Sequence, residues 1–369
     1  MPSPLRFEPA VPVAPLRAVE DMGLQDLERI RLILRGGSVI EWRRMHFHSR
    51  DEVDAYLRLC GVDPESETDR AWVRTVMSDA VAYLRQTFDF KVPDEVAEPA
   101  EVHDLFLFAS GLKEPRKLRR IACVVLKMMH VIQHVEGRDL LYRLPASEAE
   151  VQSMMTEKVM RVAEEAWRRG LPIQSFESSI KTRESIYTKL LAKKDSVAAT
   201  VYDKTRFRLV TKSRSDIVPV LHFLTQRLFP FHLVVPNQTQ NSLVTFKSLM
   251  QDYPHFRDYA KSLHLDVDYE QREAQDGNSF SGESYRVLNF IADIPLRMDA
   301  FLPAPAEDAR ARKNRIAFGL VEFQILDERT ARNNEEGENS HEQYKARQRV
   351  QVLQRLARGL VVPKRRSEG

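Results

Sequence analysis

The residues best suited to chemistry lie in one stretch, Lys181 to Arg214, KTRESIYTKLLAKKDSVAATVYDKTRFRLVTKSR. It holds ten Lys/Arg against three acids, in a chain whose net charge is only +3. Such a local excess raises the potential for anions, phosphates above all. Ser185, Ile186, Lys189, Leu190 and Lys193 recur at three- and four-residue steps, so the first half predicts a helix. After a break at Asp195 and Ser196, VYDKTRFRLVT is β-branched, aromatic and alternating, which predicts a strand. Asp203 stands at the head of that strand. A carboxylate there either answers several cations or holds a metal that bridges to a phosphate. A second acid, Glu322, lies in IAFGLVEFQI. There Val321, Phe323 and Ile325 share one face of a predicted strand, and Glu322 and Gln324 share the other.

Two further sets of residues invite a chemical reading. His130 and His134 are four apart in a helical segment, the spacing of a metal pair, with His103 the nearest histidine upstream. The residues between them, Val131, Ile132 and Gln133, supply no acidic partner of the HExxH kind. They read as structural histidines on a partly buried helix. Cys60 and Cys123 form neither a disulfide framework nor a metal-ligand spacing. They read as small buried hydrophobes in a reducing compartment.

The elements that must position these residues follow from the apolar pattern. At 369 residues, with 43% apolar and 30% charged residues, the chain predicts a soluble protein of one or two domains. No apolar run approaches the roughly 20 residues of a membrane span, and the N-terminus lacks the pattern of a secretory signal, so the expected location is cytoplasmic. The near-neutral total charge argues against broad duplex binding, so no DNA partner is expected.

Residues 1–20 carry five prolines and predict a disordered arm. Residues 21–150 predict a mostly helical module whose chemistry is not legible and whose partner would be another protein. A helix with Leu24, Leu27, Ile30 and Leu34 on one stripe should stop at Gly36-Gly37, ahead of a strand, SVIEWRRMHF. A Gly-Gly-Ser turn before a strand occurs in some nucleotidyltransferases, but Glu41-Trp42-Arg43 follows in place of Asp-x-Asp. Ser49 with Glu52 gives a capping-box signature for the next helix, which Gly61 should end. Long helices over about 66–88, 103–143 and 146–169 follow. Residues 151–360 predict a second domain and 361–369 a flexible tail. Within the second domain SDIVPVLHFLTQRLF reads as a helix, FHLVV as a short strand, and 236–283 as a long polar loop or insertion. In YRVLNFIADI, Leu288, Phe290, Ala292 and Ile294 should face a core, with Tyr285, Val287, Asn289 and Asp293 on the other side. A basic amphipathic helix should run from His341 to about Leu360.

Four patterns in chain order, KTRESIYTKL, DKTRFR, ESYRVLNF and VEFQI followed by HEQYK, together resemble the synthetase domain of the RelA/SpoT alarmone family over roughly residues 175–350. The resemblance does not reach the N-terminal half. It implies an α+β fold: a mixed β-sheet flanked by helices, in the RelA/SpoT nucleotidyltransferase arrangement, behind a mostly helical N-terminal module. It implies that Lys181, Ser185 and Lys189 hold ATP phosphates, and that Asp203, paired in the motif with Arg208, binds Mg²⁺. It implies that Glu322, followed by Gln324, acts on a ribose hydroxyl. Tyr285 matches a tyrosine that stacks on the acceptor guanine, and His341, Tyr344 and Lys345 match a later motif. The activity implied is pyrophosphate transfer from ATP to a hydroxyl of a nucleotide or RNA end; the alternative is a catalytically inactive nucleotide- or RNA-binding regulatory module. The chain departs from the family pattern at Ser179, where a cation is usual, and at Ser284, Val287 and Asn289, where the family has Gly, Ser and His. Leu326-Asp327 replaces the usual Arg-Thr. The acceptor side is therefore the rewritten part.

Overall fold

The computed structural model describes residues 22–36, 47–112, 117–192, 204–245, 252, 253, 256, 258, 285–303, 314–335 and 341–356. The expected N-terminal arm, the strand SVIEWRRMHF (apart from Phe47), most of the long polar segment, Asp203 and the C-terminal tail lie outside them. The described residues form an α+β protein with a five-stranded mixed sheet flanked by helices. The chain divides into two compact units that do not follow chain order. The first comprises Met1–Arg169, Val218–Asn237 and Ala292–Gly319; the second Gly170–Ile217, Gln238–Ile291 and Leu320–Gly369.

The first unit is mostly helical. Helix α1 (Leu24–Arg35) ends at Gly36, whose positive φ provides a left-handed cap. Helix α2 (Arg50–Leu59) starts at Ser49, whose hydroxyl accepts the Glu52 N–H. The Glu52 carboxylate reaches one residue further back, to the His48 N–H, so the predicted reciprocal cap is displaced by one position. Helix α3 (Glu67–Phe88), the short α4 (Asp94–Ala97), α5 (Val102–Ser110), α6 (Lys117–Arg143) and α7 (Glu148–Arg168) follow. The single helix expected over 103–143 is thus two, divided after Gly111, which adopts a positive φ. Helices α3 and α5 pack on α6, and α2 packs on α5. Apolar residues of these faces, among them Leu105, Ala122, Val125 and Leu126, are fully buried. Helix α9 (Ile217–Arg227) carries Pro219 in its first turn, where its missing N–H costs nothing. The strand expected at FHLVV is a 3-10 turn, Phe231–Leu233, followed by one isolated bridge from Val234 to Ala292. Pro230 opens that turn and Pro236 follows it, which leaves too short a run for a ladder.

The second unit begins with β1 (Ile173–Ile180), then α8 (Arg183–Ala192) and β2 (Thr205–Thr211). β3 is the two-residue Gln240–Asn241. The long strands β4 (Leu288–Arg297) and β5 (Ile316–Asp327) each cross a unit boundary in sequence. α10 (Glu328–Glu335) and α11 (His341–Leu356) complete the described elements, and α11 packs on α8. The strand order is β1-β2-β5-β4-β3. β1 pairs antiparallel with β2, β2 parallel with β5, and β3 antiparallel with β4.

One face of this unit's sheet is an aromatic layer. Phe176 contacts Phe207 at 5.7 Å between ring centroids, Phe207 contacts Phe323 at 6.0 Å, and Phe323 contacts Phe290 at 5.4 Å. Phe207, Phe290 and Phe323 are fully buried. The period of two that puts them on one side puts Arg206, Arg208, Glu322, Gln324 and Asn289 on the other. The expectation that Val287 and Asp293 also face outward is corrected: both are buried, at 1% and 3% exposure. Asp293 is satisfied there by Arg138, which lets a carboxylate sit inside the helical unit. No helix among the described residues is long and apolar enough to cross a membrane.

Candidate active site

The sheet register builds the site. In the parallel ladder Arg206 lies beside Glu322, and Arg208 beside Gln324. On the outer side of β2, Ser179 pairs with Arg206 and Glu177 with Arg208. β4 supplies Asn289 on the far side of β5. The result is a polar row across three strands, centred on Glu322. Arg206 Nε donates to Glu322 Oε2 at 2.5 Å, and Asn289 Nδ2 donates to Glu322 Oε1 at 2.6 Å. Glu322 is 4% exposed. Both oxygens of this buried carboxylate are answered, one by a guanidinium and one by an amide. Each oxygen retains a second lone-pair direction.

The next row is one ladder step away. Gln324 Nε2 donates to the Tyr285 hydroxyl at 3.0 Å, which fixes the reach of that ring. Arg208 donates through NH2 to Glu335 of α10 at 2.7 Å, while its Nε is buried without an acceptor. Asn334, also on α10, brackets the chain beside Tyr285: its Oδ1 accepts the Arg286 N–H and its Nδ2 donates to the Arg286 carbonyl.

The head of β2 meets the start of α8, because the Lys181 N–H donates to the Lys204 carbonyl at 2.8 Å. Thr182 caps this helix. Its Oγ1 accepts the Ser185 N–H and donates to the Ser185 hydroxyl at 3.1 Å. Ser185 is thus engaged in the first helical turn. Lys181 and Lys189 are both half-buried. His341 begins α11.

The structure therefore brings Glu322, Asn289, Gln324, Tyr285 and Arg208 together on one sheet face, and places Lys181 and Ser185 at the helix that meets the head of β2. Arg206 is the residue that the sequence reading left out of the site. Its signal was present: it shares a strand face with Arg208, and the motif with Glu322 predicts a neighbouring strand. What a sequence alone does not supply is the parallel register that sets 206 against 322.

The histidine pair has a different character. His130 and His134 stack at 6.1 Å between ring centroids, and His232 meets His130 edge-on at 4.8 Å. His232 shares a 3.2 Å hydrogen bond with the Tyr56 hydroxyl. Burial lowers His130 to about 4 and holds His232 well below the ordinary imidazole range. Burial also lowers His134, against the opposing pull of Asp293. No group of three or more His, Cys, Asp or Glu side chains among the described residues is arranged to hold a metal. His232 is buried and His130 and His134 are half-buried against the helical core, where burial disfavours the charged ring. Cys60 and Cys123 are buried thiols, Cys123 Sγ donates to the Ala109 carbonyl, and burial raises the Cys60 thiol to about 12.

No family model matches the chain, and no curated protein matches it. Among solved structures it is similar to the small alarmone synthetase 2 of Bacillus subtilis, at 18% identity over 57% of this chain and 77% of that one, with a TM-score of 0.27. It is also similar to the small alarmone synthetase 1 of Bacillus subtilis bound to its product pppGpp, at 15% identity over 57% and 92%, with a TM-score of 0.29. A GTP pyrophosphokinase family protein from Streptococcus pneumoniae matches at 14% identity over 56% and 83%, with a TM-score of 0.29.

Proposed function

We propose that this chain is a divergent RelA/SpoT-like pyrophosphokinase that moves the terminal diphosphate of ATP onto a nucleotide hydroxyl. The observation that carries this reading is the row Arg206–Glu322–Asn289, a buried but fully compensated carboxylate held between a cation and an amide. In the reaction, the acceptor hydroxyl gives its proton to Glu322 and its oxygen bonds to the β-phosphorus of ATP. The bond from that phosphorus to the α–β bridging oxygen breaks, and AMP leaves. Lys181, Lys189 and Arg208 supply positive charge for the phosphates, which is most of what such a transfer needs from a protein. Tyr285, held by Gln324, offers its ring to the acceptor base.

Mg²⁺ is assigned to Asp203 together with the ATP phosphates, since Mg²⁺ is usually held by one or two carboxylates and substrate oxygens. Glu322, whose oxygens accept Arg206 and Asn289, is kept in this reading for the acceptor hydroxyl. When bound, the ion would neutralise charge on the transferring group. His341 is retained as a substrate-binding candidate by its motif alone.

The test is transfer of label from γ-labelled ATP to a panel of nucleotides and to tRNA. Label should appear in an acceptor, and Asp203→Ala and Glu322→Gln should each abolish it. Absence of transfer to every acceptor defeats the proposal. One observation favours the second reading, a silent nucleotide- or RNA-binding module: both oxygens of Glu322 are already engaged by donors from this chain. Saturable nucleotide binding without turnover would establish that reading instead. Cytoplasmic location and a protein partner for the N-terminal residues belong to the same proposal.

A further inference from the structure

Resting on that reading, we infer that Asn289 selects acceptors with an intact ribose cis-diol, by receiving the 2′-hydroxyl while Glu322 receives the 3′-hydroxyl. The argument begins with the amide itself. A carboxylate only accepts, so Asn289 must present Nδ2 to Glu322 Oε1, as it does at 2.6 Å. That turns Oδ1 away from the carboxylate, and Oδ1 is a buried acceptor with no donor. A buried polar atom left without a partner is a cost that folding normally avoids. In a site, it marks the place of a donor that arrives with the ligand.

Glu322 Oε1 and Asn289 Oδ1 are thus two acceptors on adjoining side chains, bound to each other through the Nδ2 hydrogen bond. Two donors on adjacent carbons of one ligand match them, and the 2′- and 3′-hydroxyls of ribose are such donors. The distance to the base platform agrees. Gln324, whose Nε2 bonds the Tyr285 hydroxyl, is two residues from Glu322 along β5, roughly 6.6 Å. That is the scale separating the base of a nucleoside from its ribose hydroxyls. Asn289 and Tyr285 are each partly exposed as residues, while Oδ1 itself is covered until the amide shifts to meet a ligand. The ligand class is a ribonucleotide; a 2′-deoxynucleotide leaves Oδ1 unanswered.

Calorimetric titration of the wild-type protein with GDP and with 2′-deoxy-GDP tests this directly and needs no variant. GDP should bind at least about tenfold more tightly, since a site built to bond a hydroxyl discriminates strongly against its loss. Asn289→Ala, checked for folding by thermal melting, should reduce that preference to about onefold by weakening GDP and leaving 2′-deoxy-GDP little changed. Equal binding of the two nucleotides by wild type, an undiminished preference in Asn289→Ala, or no binding of either nucleotide overturns the inference. The label-transfer assay separates it from the reading it rests on. Equal transfer to ribo and deoxy acceptors sinks the inference and leaves the enzyme standing. A ribose preference in binding without any transfer supports the inference and removes the enzyme.

Discussion

The two units each bury a cluster of titratable groups, and they do so by opposite means. In the second unit Glu322 is almost wholly buried, but Arg206 and Asn289 answer both its oxygens. In the first unit His130, His134 and His232 pack ring against ring, and burial disfavours their charged forms, with Asp293 opposing this at His134. The carboxylate is answered on both oxygens by donors, whereas desolvation is the largest influence on the rings. Answering each oxygen holds a reactive group at a chosen point, as a site requires; rings governed mainly by desolvation belong to packing. The contrast explains why the sheet row carries the functional proposal and the histidines do not.

Removing the compensation should have the largest effect. Glu322→Ala removes the carboxylate that Arg206 and Asn289 both bond, and because Arg206 is about one-third exposed the loss should be about 3 kcal/mol, the low end for a broken buried pair. Urea unfolding monitored by circular dichroism reads this. Glu322→Gln should cost less, since its amide oxygen still accepts from Arg206. Equal stability of Glu322→Ala and wild type would show that the row is not a compensated pair.

Acid should act on the other cluster. His130 and His232 have folded pKa values below the unfolded value of about 6.5. Above 6.5 neither state binds the protons and no penalty exists. Below it the unfolded chain binds protons that the native core refuses, so stability falls with falling pH, by roughly 1.4 kcal/mol per pH unit for each ring. Between pH 7.5 and 5.5 the two together should cost about 2.8 kcal/mol. Urea midpoints at the two values measure it, and His130→Phe should flatten the dependence. A pH-independent midpoint would mean that the rings are not buried neutral.

Gly137 tests whether the histidine helix must sit close to its neighbour. A Cβ at 137 would lie 2.5 Å from the Phe318 ring and 3.0 Å from the Ile316 carbonyl oxygen. His134, one turn earlier on α6, packs on the same ring at 5.4 Å. Gly137→Ala should therefore destabilise by about 2 kcal/mol, despite Ala's better helix propensity. A gain in thermal stability would show that α6 can move aside freely. The smallest effect belongs to Tyr285→Phe, which removes the hydroxyl that accepts from Gln324. It should cost about 1 kcal/mol or less. Its better readout is nucleotide affinity, which should weaken severalfold as the ring loses its anchor.

Much of this was legible because it depends on local periodicity. The helices at 24–35, 67–88 and 148–168, the strand at β2 and both faces of the Glu322 strand follow from spacing alone. Gly36, Gly61 and Gly170 take positive φ at helix ends, as does Gly111, which the single helix expected over 103–143 had run through. β1 was missed because its alternation is broken by a register shift between Ile173 and Ser175, and its last four residues are exposed. Helix α10 was missed because ERTARNNE has almost no apolar stripe; it is held by Asp327, which caps Thr330 through both N–H and hydroxyl, and by Asn334. Val287 and Asp293 were misplaced because alternation says which face a residue is on, not whether that face is covered.

By itself the sequence determined the long amphipathic helices, the alternation of the strands that carry Arg206 and Glu322, and that a basic helix precedes an acid-bearing strand. These are consequences of backbone period and side-chain type within a few residues. Tertiary structure alone decided that Arg206 and Asn289 close on Glu322, that Asp293 turns inward to Arg138, and that three histidines from 130, 134 and 232 share one core. Those facts depend on register and packing between segments that lie from 33 to 155 residues apart in the chain. Many sequences with the same local pattern could satisfy a different pairing, and only the packing of the aromatic layer beneath the sheet selects this one.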